Sequence, residues 1–187
     1  MATHVALLRG INVGGRNRVS MADLRTLVTG LGHTDVATYI QSGNVVFTSA
    51  ETDTAALAAA LEQAIAASLG VTAAVVVLTR DDLAQAVRDN PYPDEPDPKA
   101  VHVVFFQGPV PAGAADAIEA AERRAAARGG GQDSARIAGR ALFLHTPGGF
   151  GRSELALHLL SRPASPVATG TARNWSTVTK LLSLCAA

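Results

Sequence analysis

The stretch Val36-Ala37-Thr38-Tyr39-Ile40-Gln41-Ser42-Gly43-Asn44-Val45-Val46-Phe47-Thr48-Ser49 decides the fold. It contains two strand-like segments, Val36–Gln41 and Asn44–Ser49, meeting at Ser42-Gly43, and this predicts a β-hairpin. A helical pattern stands on each side of it. Upstream, Leu24, Leu27, Val28 and Leu31 recur at helical spacing, with Ser20 as N-cap, Asp23 in a capping-box-like position and Gly32 as the stop. Downstream, Asp53 caps a second pattern, Leu57, Leu61, Ile65 and Leu69, which Gly70 ends. Strands at His4–Arg9 and Val71–Leu78 enclose the set. The resulting order, β-α-β-β-α-β, is the ferredoxin-like one.

The rest of the chain starts the pattern again. Asp81–Arg88 reads as a short helix, and Asn90–Pro98, with prolines at 91, 93, 96 and 98, as a loop or linker. Val101–Phe106 is a strand, Ala112–Arg128 an alanine-rich helix and Gly129-Gly130-Gly131 a flexible break. Ala135–Ala138 and Ala141–His145 form a hairpin across Gly139-Arg140, and helices are expected at Ser153–Leu160 and Thr177–Cys185. This half is expected to repeat β-α-β-β-α and then to put a helix where a last strand would stand. The fold class expected is therefore α+β, two ferredoxin-like halves packed together, residues 1–80 and 81–187.

Bulk properties exclude several classes. With 48% hydrophobic but 4% aromatic residues, the core is aliphatic. No stretch reaches the roughly 20 apolar residues of a membrane helix. The start runs into a strand with neither a basic region nor a cleavage site. The single cysteine, Cys185, allows no internal disulfide and has no base beside it to activate it. A cytoplasmic, soluble protein that does not engage membranes is expected. The net charge of zero disfavours nucleic acid as a partner. The charge is uneven, however: residues 1–48 carry four Arg against two Asp, and residues 150–187 carry three Arg and one Lys against one Glu.

Three polar segments could carry chemistry. Arg9-Gly10-Ile11-Asn12-Val13-Gly14-Gly15-Arg16-Asn17-Arg18 follows a strand and precedes a helix, offering backbone amides beside Arg9, Arg16 and Arg18. That composition suits an anion, although it is neither a Walker A loop nor a G-x-G-x-x-G turn. Gln41-Ser42-Gly43-Asn44 is ordinary turn chemistry that could also present Gln41, Ser42 and Asn44 to a ligand. The third segment is Gly148-Gly149-Phe150-Gly151-Arg152-Ser153, with Thr169-Gly170-Thr171-Ala172-Arg173-Asn174-Trp175 after it. Each of these two precedes a helix, with Ser153 and Asn174 as N-caps. Arg152 and Arg173 at helix starts oppose the macrodipole, and a bound anion would account for them. Trp175 is expected to anchor the core.

No His, Cys, Asp or Glu cluster has metal-ligand spacing, so neither a metal nor another cofactor is expected. The five histidines are scattered; His145, at a strand end, is the best general-base candidate, without a visible partner. No nucleophile and base stand together, so no reaction follows from the sequence and no catalytic residue is assigned.

Taken together, Ala6–Gly15, Thr38–Phe47, Asn90-Pro91 and Thr171–Val178 resemble a bacterial family, domain of unknown function 1697. The resemblance implies two ferredoxin-like halves and brings no established activity. It singles out Arg9, Asn12, Gly14, Gly15, Gln41, Ser42, Gly43, Asn44, Arg173, Asn174 and Thr177. The family pattern has Pro where this chain has Ser20, and both residues suit a helix start.

The loop after the first strand and the hairpin turn are expected at opposite ends of their sheet, so a shared site would need the loop to fold back or the C-terminal segment to bridge. A groove between the halves is the expected location. The leading functional expectation is an anionic small molecule, phosphorylated or carboxylated, with a nucleotide among the candidates. It would be held by Arg9, Asn12, Gly14, Gly15, Arg16, Gln41, Ser42, Asn44, Arg152, Arg173, Asn174 and Thr177. The alternatives are a single-stranded nucleic-acid module stacking bases on Tyr39 and Phe47, and a non-catalytic oligomerisation scaffold.

Overall fold

A computed structural model describes residues 1–129 and 131–186. The chain forms two compact units, Met1–Ala84 with Lys180–Ala187, and Gln85–Thr179. Gly130, in the expected glycine break, lies outside the described residues.

In the first unit, β1 (His4–Leu8), α1 (Met21–Gly30), β2 (Thr34–Tyr39), β3 (Asn44–Thr48), α2 (Thr54–Leu69) and β4 (Val75–Thr79) follow the expected order, and α3 (Arg80–Arg88) comes directly after. The sheet runs β2-β3-β1-β4, antiparallel throughout. Ala6 and Leu8 of β1, Val45 and Phe47 of β3, and Val75 and Val77 of β4 meet Leu24 and Val28 of α1 and Leu57, Leu61 and Ile65 of α2 in one core. Each fully buried Leu or Ile there contributes about 1.5–3 kcal/mol. The caps are those the sequence predicts. The Ser20 hydroxyl accepts from the amides of Ala22 and Asp23, Asp53 accepts from Ala55 and Ala56, and Gly70 stops α2 in the left-handed conformation.

Two strand starts in this unit differ from expectation, and the strand ends differ by one or two residues. β4 begins at Val75 rather than Val71, because Glu62 of α2 takes the Val75 amide at 2.8 Å while Val71 and Ala73 are spent on the core. β2 begins at Thr34 and carries a bulge between Thr34 and Ala37, with Asp35 at φ 51.

The second unit contains β5 (Val101–Phe105), α4 (Ala114–Ala127), β6 (Ser134–Ala138), β7 (Ala141–His145), a 3-10 turn Phe150–Arg152, α5 (Glu154–Leu160), a second 3-10 turn Pro166–Thr169, and β8 (Thr171–Asn174). α6 (Trp175–Ala186) ends the chain. The sheet order is β6-β7-β5-β8, again antiparallel. Its helix-side core joins Val104, Leu142 and Leu144 to Ile118, Ala121, Leu155 and Leu159.

β8 corrects the expectation of a helix in the last strand's place. Thr171-Ala172-Arg173-Asn174 has no apolar run to announce it, yet it pairs along β5, with Val103 opposite Arg173. Gly170 makes the approach possible, since a Cβ there would overlap Val104 and Phe106. The second unit thus completes β-α-β-β-α-β, and both halves are ferredoxin-like. No helix among the described residues is long and apolar enough to cross a membrane.

Candidate functional site

The loop after β1 and the β2–β3 turn lie at the same end of the first sheet, which corrects the expected separation. β1 and β2 are both antiparallel to β3 and therefore run the same way, because α1 returns the chain between them. The C-terminal end of β1 thus adjoins the turn: Leu7 pairs with Asn44, and the Leu8 amide donates to the Gly43 carbonyl at 2.8 Å. Gly43 is required on two counts. Its φ is +79°, and a Cβ would lie 2.7 Å from Ile11 Cδ1 and 2.8 Å from Leu8 Cβ.

Asn12 joins the two segments. Its Nδ2 donates to the carbonyls of Val19 at 2.9 Å and Gln41 at 2.8 Å, and its Oδ1 accepts from the Val19 amide at 2.9 Å. Its backbone stands at φ 55, a left-handed conformation that asparagine tolerates better than most residues. Asn17 closes the loop base by donating from Nδ2 to the Gly10 carbonyl at 3.1 Å. The tip is a small hairpin: Val13 bridges Arg16, with Gly14 at φ 59 and Gly15 at φ 76, the positive pair that a tight primed turn needs. Across the cleft, buried Asn44 shapes the turn by donating from Nδ2 to the Tyr39 carbonyl and the Ser42 hydroxyl, each at 2.9 Å.

These contacts leave an open cleft of about 640 Å³ at the sheet end. Gly15, Arg18, Ser20, Asp23 and Gln41 line it, with Asn12 and Val19. Arg18 is exposed and has no hydrogen-bond or ion-pair partner among the described residues. Ser20 already takes the first-turn amides of α1, so the lining's cationic group is Arg18, with Asp23 as its one carboxylate. Gln41 supplies a neutral donor and acceptor, and Asp23 an acceptor. Arg9, half-buried with its amide on the Ala74 carbonyl at 2.9 Å, and Arg16 at the loop tip are not part of the lining.

The second-unit candidates sit differently from one another. Arg152 is exposed and ends the 3-10 turn before α5, and Ser153 caps α5 while donating to Asp133 at 2.7 Å. Arg173 belongs to β8 and directly precedes Asn174, the cap of α6. It is buried, Nη1 donates to the Ala172 carbonyl at 2.8 Å, and burial pushes its pKa down to about 10, which leaves it cationic at neutral pH. Asn174 Oδ1 accepts from the Thr177 amide at 2.9 Å, the cap the sequence predicts, and Thr177 is buried. Trp175 is half-buried and its amide donates to the Pro98 carbonyl at 3.2 Å.

His145 has the partner that the sequence did not reveal. Its Nε2 lies 2.5 Å from Glu95 Oε2, both side chains are largely shielded, and Tyr92 stacks on the imidazole at 4.9 Å. Asn90 positions that tyrosine by accepting the Tyr92 amide at 3.0 Å, and the Tyr92 hydroxyl meets Ser134 Oγ at 3.0 Å. The Asp97 amide and then His145 hold the Glu95 carboxyl below its ordinary range, and burial raises the Tyr92 phenol. A carboxylate fixing one imidazole nitrogen sets the tautomer and leaves the other nitrogen for proton transfer. Among the described residues, no group of three or more His, Cys, Asp or Glu could hold a metal ion.

The family model described as protein of unknown function (DUF1697) matches residues 1–143. The chain belongs to the DUF1697 family. A search of curated proteins returned no match. Among solved structures, the conserved bacterial protein SP0830 from Streptococcus pneumoniae shares the fold with a TM-score of 0.72 at 24% identity, over 98% of each chain.

Within the DUF1697 match, the signature residues divide by task. Asn12, Gly43 and Asn44 are committed to building the loop and turn, whereas Gln41 is exposed at the cleft. Arg18 faces the cleft although the signature segment stops at Gly15. Thr171–Val178 lies beyond the matched residues, so the family model spans less of the chain than the sequence resemblance does.

Proposed function

We propose that this protein binds a phosphorylated or carboxylated small molecule in the cleft between loop 9–19 and turn 40–43. One observation carries the reading: Asn12 ties the two segments together so that unpaired Arg18 and the Gln41 side chain face the same cleft. An unpaired guanidinium offers forked, fixed-charge recognition of an oxyanion. Gln41 adds orientation. Asp23 on the wall favours a ligand that also carries hydroxyl or amino donors, as a nucleotide does. The lining contains neither His nor Cys, so the reading is one of binding, with no reaction assigned. Cytoplasmic residence belongs to the same proposal, in keeping with a lone, buried Cys185.

Base stacking gains no support, because Phe47 is fully buried against His4 and His33 and only half-buried Tyr39 remains. A thermal-shift screen of nucleotides, sugar phosphates and di- and tricarboxylates tests the proposal. A ligand present at 100 times its Kd stabilises the folded state by about 2.7 kcal/mol. Stabilisation by anionic members but not by their neutral counterparts is expected, and no response to any of them at millimolar concentration contradicts the reading.

A further inference from the structure

A second concavity lies on the helical face of the second unit, and its origin is legible in the sequence. The α4 stripe Ala117, Ala120, Ala121 and Arg124 follows helical spacing, and alanine side chains end at Cβ. Ala121 packs in one core cluster with Leu159, and beside it a trough of about 210 Å³ remains between α4, α5 and the segment after α5. Its floor is apolar. Its rim is cationic: Arg124 and Arg162 are both exposed, and neither guanidinium group has an ion-pair or hydrogen-bond partner among the described residues. Arg128 nearby is already paired, with Glu154 at 3.1 Å.

Two polar atoms in the trough have no partner. His158 Nε2 and Ser165 Oγ are shielded from solvent and make no hydrogen bond. Buried polar atoms are ordinarily satisfied, so two left open in one apolar trough call for an explanation. Desolvation, and then the charges of Arg162, Arg124 and Arg128, keep His158 neutral, a form in which Nε2–H can donate. An apolar trough with two unpaired guanidinium groups and two open donors matches a molecule with an anionic head and an aliphatic tail. The size limits that tail. At about 30 Å³ per small group, the trough takes roughly seven.

We infer that this trough binds a medium-chain aliphatic carboxylate, its headgroup held by Arg124, Arg162, His158 and Ser165 and its tail lying along the alanine stripe of α4. The volume argues against a peptide helix, since a single turn about 10 Å across with a pitch of roughly 5.4 Å already exceeds it. The rim charge argues against an alkylamine.

Titration of the full chain with octanoate, followed by amide chemical shifts and calorimetry, tests the inference. Octanoate is expected to shift amides along Ala117–Arg124 and His158–Pro166, at least ten-fold tighter than acetate. Each added methylene from butanoate to octanoate should tighten binding about three- to four-fold. The double variant Arg124→Gln/Arg162→Gln should lose at least ten-fold in affinity. Ala120→Leu, which fills the floor, should abolish binding while the melting temperature stays within a few degrees of the parent. Should Ala120→Leu fail to fold, the rim variant decides alone. Acetate binding as well as octanoate, octylamine binding as well as octanoate, or the rim variant binding unchanged would each overturn the assignment.

Discussion

The side-chain amide of Asn12 donates to the backbone carbonyl of Gln41, 29 residues along the chain, at 2.8 Å. Through that contact the loop after β1 and the β2–β3 turn become the two walls of one cleft. Asn12→Asp keeps the acceptor for the Val19 amide but removes both donated bonds. It should cost about 0.5–1.5 kcal/mol for each lost bond, the usual net worth of hydrogen bonds that are part-buried or exposed. Urea denaturation measures that loss, and hydrogen exchange should quicken across residues 10–19 while the core strands keep their protection.

Gly43 and Gly14 make a controlled pair. Both have positive φ, but a Cβ at Gly43 meets Leu8 and Ile11, whereas one at Gly14 meets nothing within 4 Å. Gly14→Ala should cost about 1–2 kcal/mol, the left-handed penalty alone. Gly43→Ala should add an overpacking cost of about 1–3 kcal/mol to it. Parallel denaturation curves check the ordering, and equal losses would contradict the packing described.

Gly170 decides whether β8 can lie against β5. Gly170→Ala drives a methyl group into Val104 and Phe106 and should destabilise by about 1–3 kcal/mol. Amide exchange should accelerate first in Thr171–Asn174.

The half-buried imidazole of His102 gives stability an acid limb. It stacks on Phe150 at 3.9 Å, its Nδ1 has no partner, and burial lowers its pKa to about 4. The unfolded chain takes up this proton near pH 6.5 and the folded chain only near the lowered value, so the unfolded state binds more protons in between. Stability should therefore fall as the pH drops from about 6.5 towards 4, by up to about 3 kcal/mol. His102→Phe should reduce that slope, leaving the part from His4, His33 and His158, whose pKa values burial also lowers. Glu95 acts lower: its contribution is full above the ordinary glutamate pKa of about 4.3 and is lost as pH falls through its lowered folded value. Glu95→Gln should remove only that lower part. Denaturation at a series of pH values separates the two.

Local signals carried most of the fold. Ser20, Asp53, Gly32 and Gly70 mark helix ends because capping chemistry acts over a few residues, and the hairpins at Ser42-Gly43 and Gly139-Arg140 are equally local. β8 was not legible, since Thr-Ala-Arg-Asn has no strand pattern and its place depends on Gly170 fitting against β5. The pairing of Arg173 along β5, just before the α6 cap, is hidden in the sequence for the same reason. The element order itself requires the loop and the turn to share one sheet end, since a helix between two strands returns the second one parallel to the first. Arg18 and Gln41 sharing a cleft, and Glu95 meeting His145 across 50 residues, depend on tertiary placement that no spacing records.

The central claim is that Arg18 reads an anion in the cleft that Asn12 closes. The most direct measurement is an amide-resolved titration of the parent and of Arg18→Gln with the strongest anionic ligand from the screen. Shifts confined to residues 10–23 and 40–44 are expected, with an affinity at least ten-fold weaker in Arg18→Gln and its melting temperature unchanged. Equal affinity in the two proteins, or shifts that avoid both segments, would contradict the claim.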